Sequence, residues 1–267
     1  MPLTIATWNI NSVRLRRPMI EEFLAEFKPD ILCLQEIKCT NDQFPAKEFA
    51  AAGYPHQAVN GQKAYHGVAT ISRLPLAQIS HRQFCNIDHA RHISASVEHP
   101  DGPLTVHNFY IPAGGDLPDP DVNEKFKHKL DFLEEMQEWF LRDEFKAGHL
   151  ITGDFNIAPH ENDVWSHKQL LKVVSHTPVE TQKLDQILKG GNWTDLVRKH
   201  IPENEKLYSW WSYRAKDWNT SNKGRRLDHI WATSDIAKRS TGSQVIRAAR
   251  GWSEKPSDHV PVIVSLD

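Results

Sequence analysis

At 267 residues the chain is long enough to bury a substantial core, as one large domain or two small ones. A hydrophobic fraction of 39% against 25% charged is ordinary for a soluble globular protein, and no run approaches the roughly 18 apolar residues that a membrane span requires. A formal net charge of -2 gives no global basic signature of the kind nucleic-acid-binding domains often carry.

In chain order, a strand is expected at 3–8, followed by a helix over 14–27 with Leu15, Met19, Ile20, Phe23, Leu24 and Phe27 at helical spacing. The N-terminus offers no basic segment ahead of a signal-like apolar run. Pro29 and Asp30 end the helix, and Ile31-Leu32-Cys33-Leu34 reads as a strand covered on both faces. Shorter strands are expected near 56–59, 66–72, 92–98 and 104–110. After Asp119-Pro120, Asp121 and Glu124 resemble a capping box, and Phe126, Leu130, Leu133, Met136 and Phe140 form one apolar stripe. A strand at 149–152 and helical stretches near 162–171 and 180–188 come next. A loop rich in Trp and Arg at 208–226 and strands at 227–232, 243–249 and 259–266 complete the chain. No repeat, low-complexity tract or Gly/Ser linker divides it, so 1–267 is taken as a single domain. Many strands with interspersed helices favour a mixed-sheet α/β sandwich over a purely parallel sheet. Cys33, Cys39 and Cys85 are an odd set without CxxC spacing, which argues against disulfides and a zinc ribbon and for a reducing, cytoplasmic compartment.

Polar residues stand where these apolar strands reach the surface. Asn9, Glu36, Tyr110 and Asp154 with Asn156 follow strand ends, whereas Asp228 and Asp258-His259 precede strand starts. They can meet on one rim only if the last strands run antiparallel to the earlier ones. So gathered, they would form an oxygen-rich cation site with one histidine beside it, which suits phosphodiester hydrolysis. That reaction requires neutralisation of the phosphate charge, activation of an in-line water and stabilisation of the leaving alkoxide. A hard cation prefers carboxylate and carboxamide oxygens. Glu36 and Asp258 are the natural carboxylate ligands, Asn9 and Asn11 add neutral oxygens, and Asp154 and Asn156 are further candidates. No HExxH motif or Cys/His cluster competes, so magnesium or manganese is favoured over zinc. Asp154 and Asn156 alternate along an extended stretch and point to one face, where one could take a proton from water while the other orients it. His259 could serve in proton transfer if a carboxylate fixes its tautomer, and Asp228 is the candidate partner. His66, His107, His149 and His229 lack ligand spacing and read as structural or surface groups. Basic residues cluster locally at Arg14, Arg16 and Arg17 and again at Lys206, Arg214, Lys216, Lys223, Arg225 and Arg226; phosphate contacts are local, so such clusters count for more than net charge.

Taken together, Trp8-Asn9-Ile10-Asn11, Leu34-Gln35-Glu36-Ile37-Lys38, Asn108-Phe109-Tyr110-Ile111-Pro112, Gly153-Asp154-Phe155-Asn156, Arg226-Leu227-Asp228 and Ser257-Asp258-His259 resemble the motif set of the exonuclease III family of apurinic/apyrimidinic endonucleases, over essentially the whole chain. The resemblance implies a four-layer sandwich of two packed mixed β-sheets flanked by helices, the DNase I-like endonuclease/exonuclease/phosphatase fold. It implies a magnesium- or manganese-dependent enzyme that cuts duplex DNA 5′ to abasic sites and trims 3′ ends as a 3′–5′ exonuclease, acting as a cytoplasmic, nucleoid-associated monomer. Glu36 would then be the principal metal ligand with Asn9 and Asp258 nearby, Asp154 the proton-transfer group, and Asn156 its orienting partner. Tyr110 would contact the scissile phosphate, and His259, held by Asp228, would stabilise charge developing on it. Trp210 and Leu227 match the positions that line a pocket for a flipped-out, base-free sugar; Arg214 and Arg225 are further DNA contacts. Two departures bear on the pocket and on the balance of activities. Arg225 stands where some relatives carry Trp, and is expected to brace a displaced strand or phosphate; Ala113 replaces a carboxamide. The same site on an inositol-phosphate or sphingolipid phosphodiester, and a catalytically inactive nucleic-acid-binding module, are the competing functions. The Arg/Trp-rich 206–226 segment counts against the first, and the full set of acidic and amide positions against the second.

Overall fold

The structure, a computed structural model, describes residues 2–99 and 102–267. Among these, one six-stranded sheet joins β1 (Leu3–Asn9), β2 (Ile31–Gln35), β3 (His56–Asn60) and β4 (Val68–Ser72) to β13 (Ser240–Val245) and β14 (Val262–Leu266), in the order β13-β14-β1-β2-β4-β3. The second holds β5 (Leu76–Ser80), β6 (His92–Val97), β7 (Leu104–Tyr110), β8 (His149–Asp154), β9 (Thr194–Asp195) and β12 (Asp228–Ala232), in the order β5-β6-β7-β8-β12-β9. A ribbon of β10 (Trp210–Trp211) and β11 (Gly224–Arg225) stands apart. The helices are α1 (Arg17–Phe27), α2 (Ala46–Ala51), α3 (Glu124–Phe140), α4 (His167–Leu170), α5 (Pro178–Gly190), α6 (Leu196–His200), α7 (Trp218–Ser221) and α8 (Ser234–Ala237). Among the described residues no helix is long and apolar enough to cross a membrane.

The alternation of side chains along each strand builds the layers. Leu3 and Ile5 of β1 and Ile31 and Cys33 of β2 face Val106 of β7, Leu150 of β8 and Ile230 of β12 in the central core. Their neighbours Ala6, Trp8, Leu32 and Leu34 turn outward onto Ile20, Phe23 and Leu24 of α1. On the far side Phe109 and Ile151 pack beneath Phe132, Leu133 and Met136 of α3 and Leu184 and Ile187 of α5. The result is helix, sheet, sheet, helix, the four-layer sandwich. Strands covered on both faces read as continuous apolar runs, as Ile31–Leu34 does.

Register places the polar strand ends on one rim. β1 runs parallel to β2 and antiparallel to β14. In the second sheet β7 is parallel to β8, and β12 is antiparallel to β8 with Asp228 directly opposite Asp154. Gly153 lies between these pairs at φ 134°, and a Cβ there would sit 2.0 Å from the Phe109 carbonyl oxygen on β7. No other residue fits that approach.

Several local expectations differ from the fold. α1 begins at Arg17 with Pro18 in its first turn, where the missing N–H costs nothing, and Leu15 is left outside it and exposed. α3 is capped by Asn123, whose side chain accepts from Lys125 N. Asp121 forms no box with Glu124; its N–H donates to the Asp119 side chain. Leu130 is only half-buried, and Lys129 is the fully buried residue beside it. The stretch near 162–171 is a 3-10 turn and the one-turn α4. α5 starts at Pro178 behind a capping box of Thr177 and Glu180, and the loop-like 208–226 contains β10, α7 and β11.

Candidate active site

Strand ends deliver the site. Asn9 closes β1, Glu36 follows β2, Tyr110 closes β7, and Asp154 closes β8 with Asn156 two residues on; Asp228 opens β12, and His259 stands three residues before β14. Glu36 and Asn156 lie in the left-handed region, at φ 49° and 54°. For a residue other than Gly this costs about 1–2 kcal/mol. At Glu36 the turn is held by Ser12 N donating to the Glu36 carbonyl (2.7 Å), by Ile37 N on Gly67 O and by Lys38 N on His66 O.

At the centre, one line of groups runs from Ser209 to Asn9. The Ser209 hydroxyl donates to Asp228 Oδ2 (2.6 Å), which also lies 2.8 Å from His259 Nδ1. That contact puts a proton on Nδ1 and turns Nε2 towards Asp154 Oδ2 at 3.6 Å. Asp154 Oδ2 accepts from Asn9 Nδ2 (2.8 Å) and Asn156 Nδ2 (3.2 Å), and its Oδ1 from Asn156 N. Burial pushes the Asp154 carboxyl up, against the pull of the His259 charge. Burial alone would push the His259 imidazole down, but the carboxylates of Asp228 and Asp154 outweigh it and hold the ring well above its ordinary value. The ring lies between the buried carboxyl groups of Asp228 and Asp154, which favour its charged form.

A second line carries the remaining oxygens. Glu36 Oε1 accepts from Asn9 Nδ2 (2.9 Å) and Oε2 meets Lys38 Nζ at 2.8 Å. Lys38 also donates to Asn11 Oδ1 (2.6 Å), and Asn11 Nδ2 donates to Asp258 Oδ1 (3.1 Å). Asp258 Oδ2 accepts from Trp210 Nε1 (2.9 Å). Burial would raise the Asp258 carboxyl, but the His259 charge and these hydrogen bonds keep it low and ionised. Burial, and then the charges of Glu36 and Asp154, hold the Tyr110 hydroxyl protonated; its ring packs under the Arg91 guanidinium at 4.9 Å.

These donors suit a hard cation: the carboxylates of Glu36, Asp154 and Asp258, with the carbonyl oxygen of Asn11, and an ammonium already settled on two of the oxygens. Ligand atoms of Asp154, Asp228 and His259 lie within 4.8 Å of one another, although Asp228 and His259 are committed to each other. Asn9 turns its nitrogen to the carboxylates and its oxygen to Asn11 N, and Asn156 likewise offers nitrogen to Asp154.

The site opens into a cleft of about 1050 Å³, walled by Trp210, Leu227, Val174 and Arg225 and rimmed by Arg214, Lys216 and Lys223. Leu227 is buried with Ala158, Val164 and Leu170, and Trp210 packs on that cluster. Arg225 folds inward, stacking on Trp210 at 5.3 Å and donating to Val174 O (2.9 Å) and Ser175 Oγ (2.7 Å). Arg214 is exposed on the rim, and Ala113 lines the cleft without a polar side-chain atom. Behind Leu227, buried Arg226 is held by half-buried Asp195 (2.7 Å) and buried Asp163 (3.1 Å), and buried Arg198 by Asp163.

The acidic, amide and pocket residues expected from the sequence therefore lie at the rim or in the cleft, whereas Arg226 of the expected basic cluster is buried in ion pairs. Lys38, Ser209 and Lys129 were missed. Lys38 adjoins Glu36 and could have been found as the one cation in that clip; Ser209 gave no signal. His107 is buried between His92 (3.2 Å) and His149 (3.1 Å), and His229 on Ile157 O (2.8 Å) with Asp195 at 4.0 Å.

Residues 6–259 match the model of the Endonuclease/Exonuclease/phosphatase family. The chain is 32% identical to exodeoxyribonuclease III of Haemophilus influenzae, over 96% of this chain and 97% of that protein. It superposes on an AP endonuclease from Archaeoglobus fulgidus with a TM-score of 0.90 at 34% identity, covering 99% of each chain. With a 3′ phosphatase from Neisseria, solved bound to a product DNA hairpin, the TM-score is 0.89 at 32% identity, again over 99% of each. With the strand-end carboxylates already on one rim, these likenesses show that the chain belongs to the endonuclease/exonuclease/phosphatase family, on its exodeoxyribonuclease III branch.

Proposed function

We propose that this protein hydrolyses the phosphodiester 5′ to abasic sites in duplex DNA and trims 3′ ends, with magnesium or manganese. The chain is a DNA-repair nuclease of its family; the abasic specificity, the ion and the residue roles are our reading. One observation carries it: the line Asp228–His259–Asp154 opens directly onto a cleft walled by Trp210 and Leu227. We take 1–267 as one domain acting as a monomer, in the cytoplasm and about the nucleoid.

Asp154, with Oδ1 tied to Asn156 N and Oδ2 to Asn9, is fixed to accept the proton of an attacking water, and its raised carboxyl suits a group that both takes and returns a proton. His259 has Nδ1 committed to Asp228, so its Nε2, beside Asp154 at the cleft, is the group left to donate to charge developing on the phosphoryl oxygen. The Tyr110 hydroxyl, protonated, donates to the same phosphate. Glu36 and Asp258, with Asn11, would hold the ion; Asn9 and Asn156 orient the carboxylates and can add neutral oxygens if their amides turn. When bound, the ion neutralises the phosphate and stabilises the leaving alkoxide. Trp210 and Leu227 offer apolar surface to a base-free sugar, whose extrusion costs least because no base is stacked.

The test is incubation with abasic-site duplex and undamaged duplex, each with and without magnesium. Magnesium-dependent incision at the abasic site, with slower removal of 3′ nucleotides from both, is expected. Cleavage of neither duplex, with ready hydrolysis of a small phosphodiester, would assign the site to a non-DNA substrate.

A further inference from the structure

Directly behind the catalytic rim lies an ion pair that contributes no group to the cleft. Lys129 of α3 and Glu180 of α5 are both fully buried, with Nζ and Oε1 2.5 Å apart. Their remaining bonds diverge. Lys129 Nζ donates to the carbonyl of Asn156 (2.8 Å) and reaches that of Ala113 (3.4 Å). Glu180 accepts from Ser175 N through both oxygens (3.0 Å each), and from Thr177 N and Oγ1. Ser175 in turn accepts from Arg225, which stacks on Trp210. One arm of the pair thus ends on the residue that grips Asp154, and the other on the cleft wall.

The surroundings are shaped for this lysine. Gly114 lies at φ 89°, and a Cβ there would meet Lys129 Cδ at 2.9 Å and Val174 Cγ1 at 3.0 Å. A larger residue would strain the turn and press on the stem that carries the ammonium. A buried pair of opposite charges is a weak source of net stability, because desolvation offsets its attraction and apolar residues of like volume often serve as well. What apolar residues could not supply is a donor on Asn156 and an acceptor for the 175–177 turn. Asn156 stands in the left-handed region, so its backbone is held there by its partners, and its N–H and Nδ2 are the groups that fix Asp154.

We propose that Lys129 and Glu180 are a positioning pair for turnover, setting Asn156 against Asp154 and, through Ser175, setting the Arg225–Trp210 wall, so that the water-activating group and the sugar pocket keep one geometry. This rests on the nuclease reading given above. Neither residue touches substrate, and both act through Asn156 and Ser175. A misplacement of about 1 Å in such a site is enough for a rate loss approaching 10²-fold.

The experiment measures kcat and KM at abasic-site duplex with magnesium for the wild-type protein and two variants. Replacing one partner alone by an apolar residue strands a buried charge and risks unfolding, so the main variant is Lys129→Met with Glu180→Gln, which removes both charges and keeps an acceptor for Ser175 and Thr177. The second is Glu180→Asp, which keeps the pair but draws the carboxylate back by about 1.5 Å. Folding is monitored by circular dichroism and thermal melting. With the fold retained, kcat is expected to fall about ten-fold or more in the double variant and about three-fold or more in Glu180→Asp, while KM stays within about two-fold. If the double variant does not fold, Glu180→Asp decides alone. A folded variant with wild-type kcat overturns the proposal, as does a change confined to KM. A wild-type protein that fails to cut abasic duplex would instead overturn the nuclease reading, so the two failures are distinct.

Discussion

Asp154 and Asp228 are placed by β8 and β12, whose register sets them opposite each other, and His259 stands just ahead of β14, whereas Trp210 and Arg225 ride on two-residue strands joined by loop and a single-turn helix. The first region is over-determined: Asp228 faces Asp154 across a ladder, and each carboxylate has several donors. The second has no long ladder: it is held by short bridges of Trp210 to His259 and of Arg225 to Val164, with Trp210 on Asp258 and Arg225 on Val174 and Ser175. Such a division suits a nuclease, whose chemistry needs one geometry while its wall must admit and release a duplex. Changes at the strand ends should therefore abolish chemistry, and changes in the wall should redistribute substrates.

The largest effect tests the strand-end region as a whole. Its donors are hard oxygens, so a chelator should abolish cleavage and magnesium or manganese should restore it; full activity in excess chelator would sink the metal-dependent reading. Glu36→Ala should move the magnesium titration to higher concentration with an unchanged circular dichroism spectrum. Next, Asp154→Asn and His259→Asn should each lower turnover by about 10²–10⁴ while duplex affinity changes far less. Either variant keeping more than about half of wild-type turnover would remove that residue from the chemistry.

The wall should respond by substrate. Trp210→Ala is expected to slow incision at abasic sites by about ten-fold, more than removal of 3′ nucleotides, since only the flipped sugar must fill the pocket. Because Arg225 turns inward, Arg225→Ala should follow the Trp210 pattern, whereas Arg214→Ala on the exposed rim should weaken both substrates alike and flatten the salt dependence of affinity. Equal losses on the two substrates for Trp210→Ala would dissolve the contrast between the regions.

The smallest effect concerns stability. Burial, with the neighbouring His92 and His149 rings, holds His107 well below its ordinary range, so it is neutral when folded and takes up a proton near pH 6.5 when unfolded. The unfolded chain then binds more protons as pH falls below 6.5, and that share of stability is lost in acid. His107→Gln should make the decline of the unfolding free energy from urea melts between pH 6.5 and 5 shallower, by up to about 1.4 kcal/mol per pH unit. An unchanged slope would mean that the imidazole is charged inside the fold.

The same contrast explains what the sequence could reveal. Ile31–Leu34 and His149–Thr152 announce strands because both faces are buried, and a polar residue at either end of such a run marks the rim; that pointed to Asn9, Glu36, Asp154 and His259 together. The requirement that late strands run antiparallel followed from the same positions and holds in β12 and β14. Ser209 escaped because its role depends on Asp228, 19 residues away, with no local pattern to mark it. Lys129 sits among helical polar residues and reads as solvated; only the packing of α3 on α5 buries it. The Asp121 box failed because Asp119 captures the Asp121 N–H and Asn123 is the better-placed cap.

The pairing of β1 with β14 has a consequence in time. Trp8 Nε1 donates to the carbonyl of His259 across a separation of 251 residues, and the Ser257 hydroxyl donates to the carbonyl of Asn9. The early strands can collapse on α1 locally, but the rim has its imidazole only when the segment carrying His259 has joined β1. Closing so long a loop is slow compared with local helix formation, and β14 lies between β13 and β1 in the sheet, so the rim and the first sheet are completed by the same event. Competence to cut DNA therefore rests on contacts of high sequence separation and not on any local element.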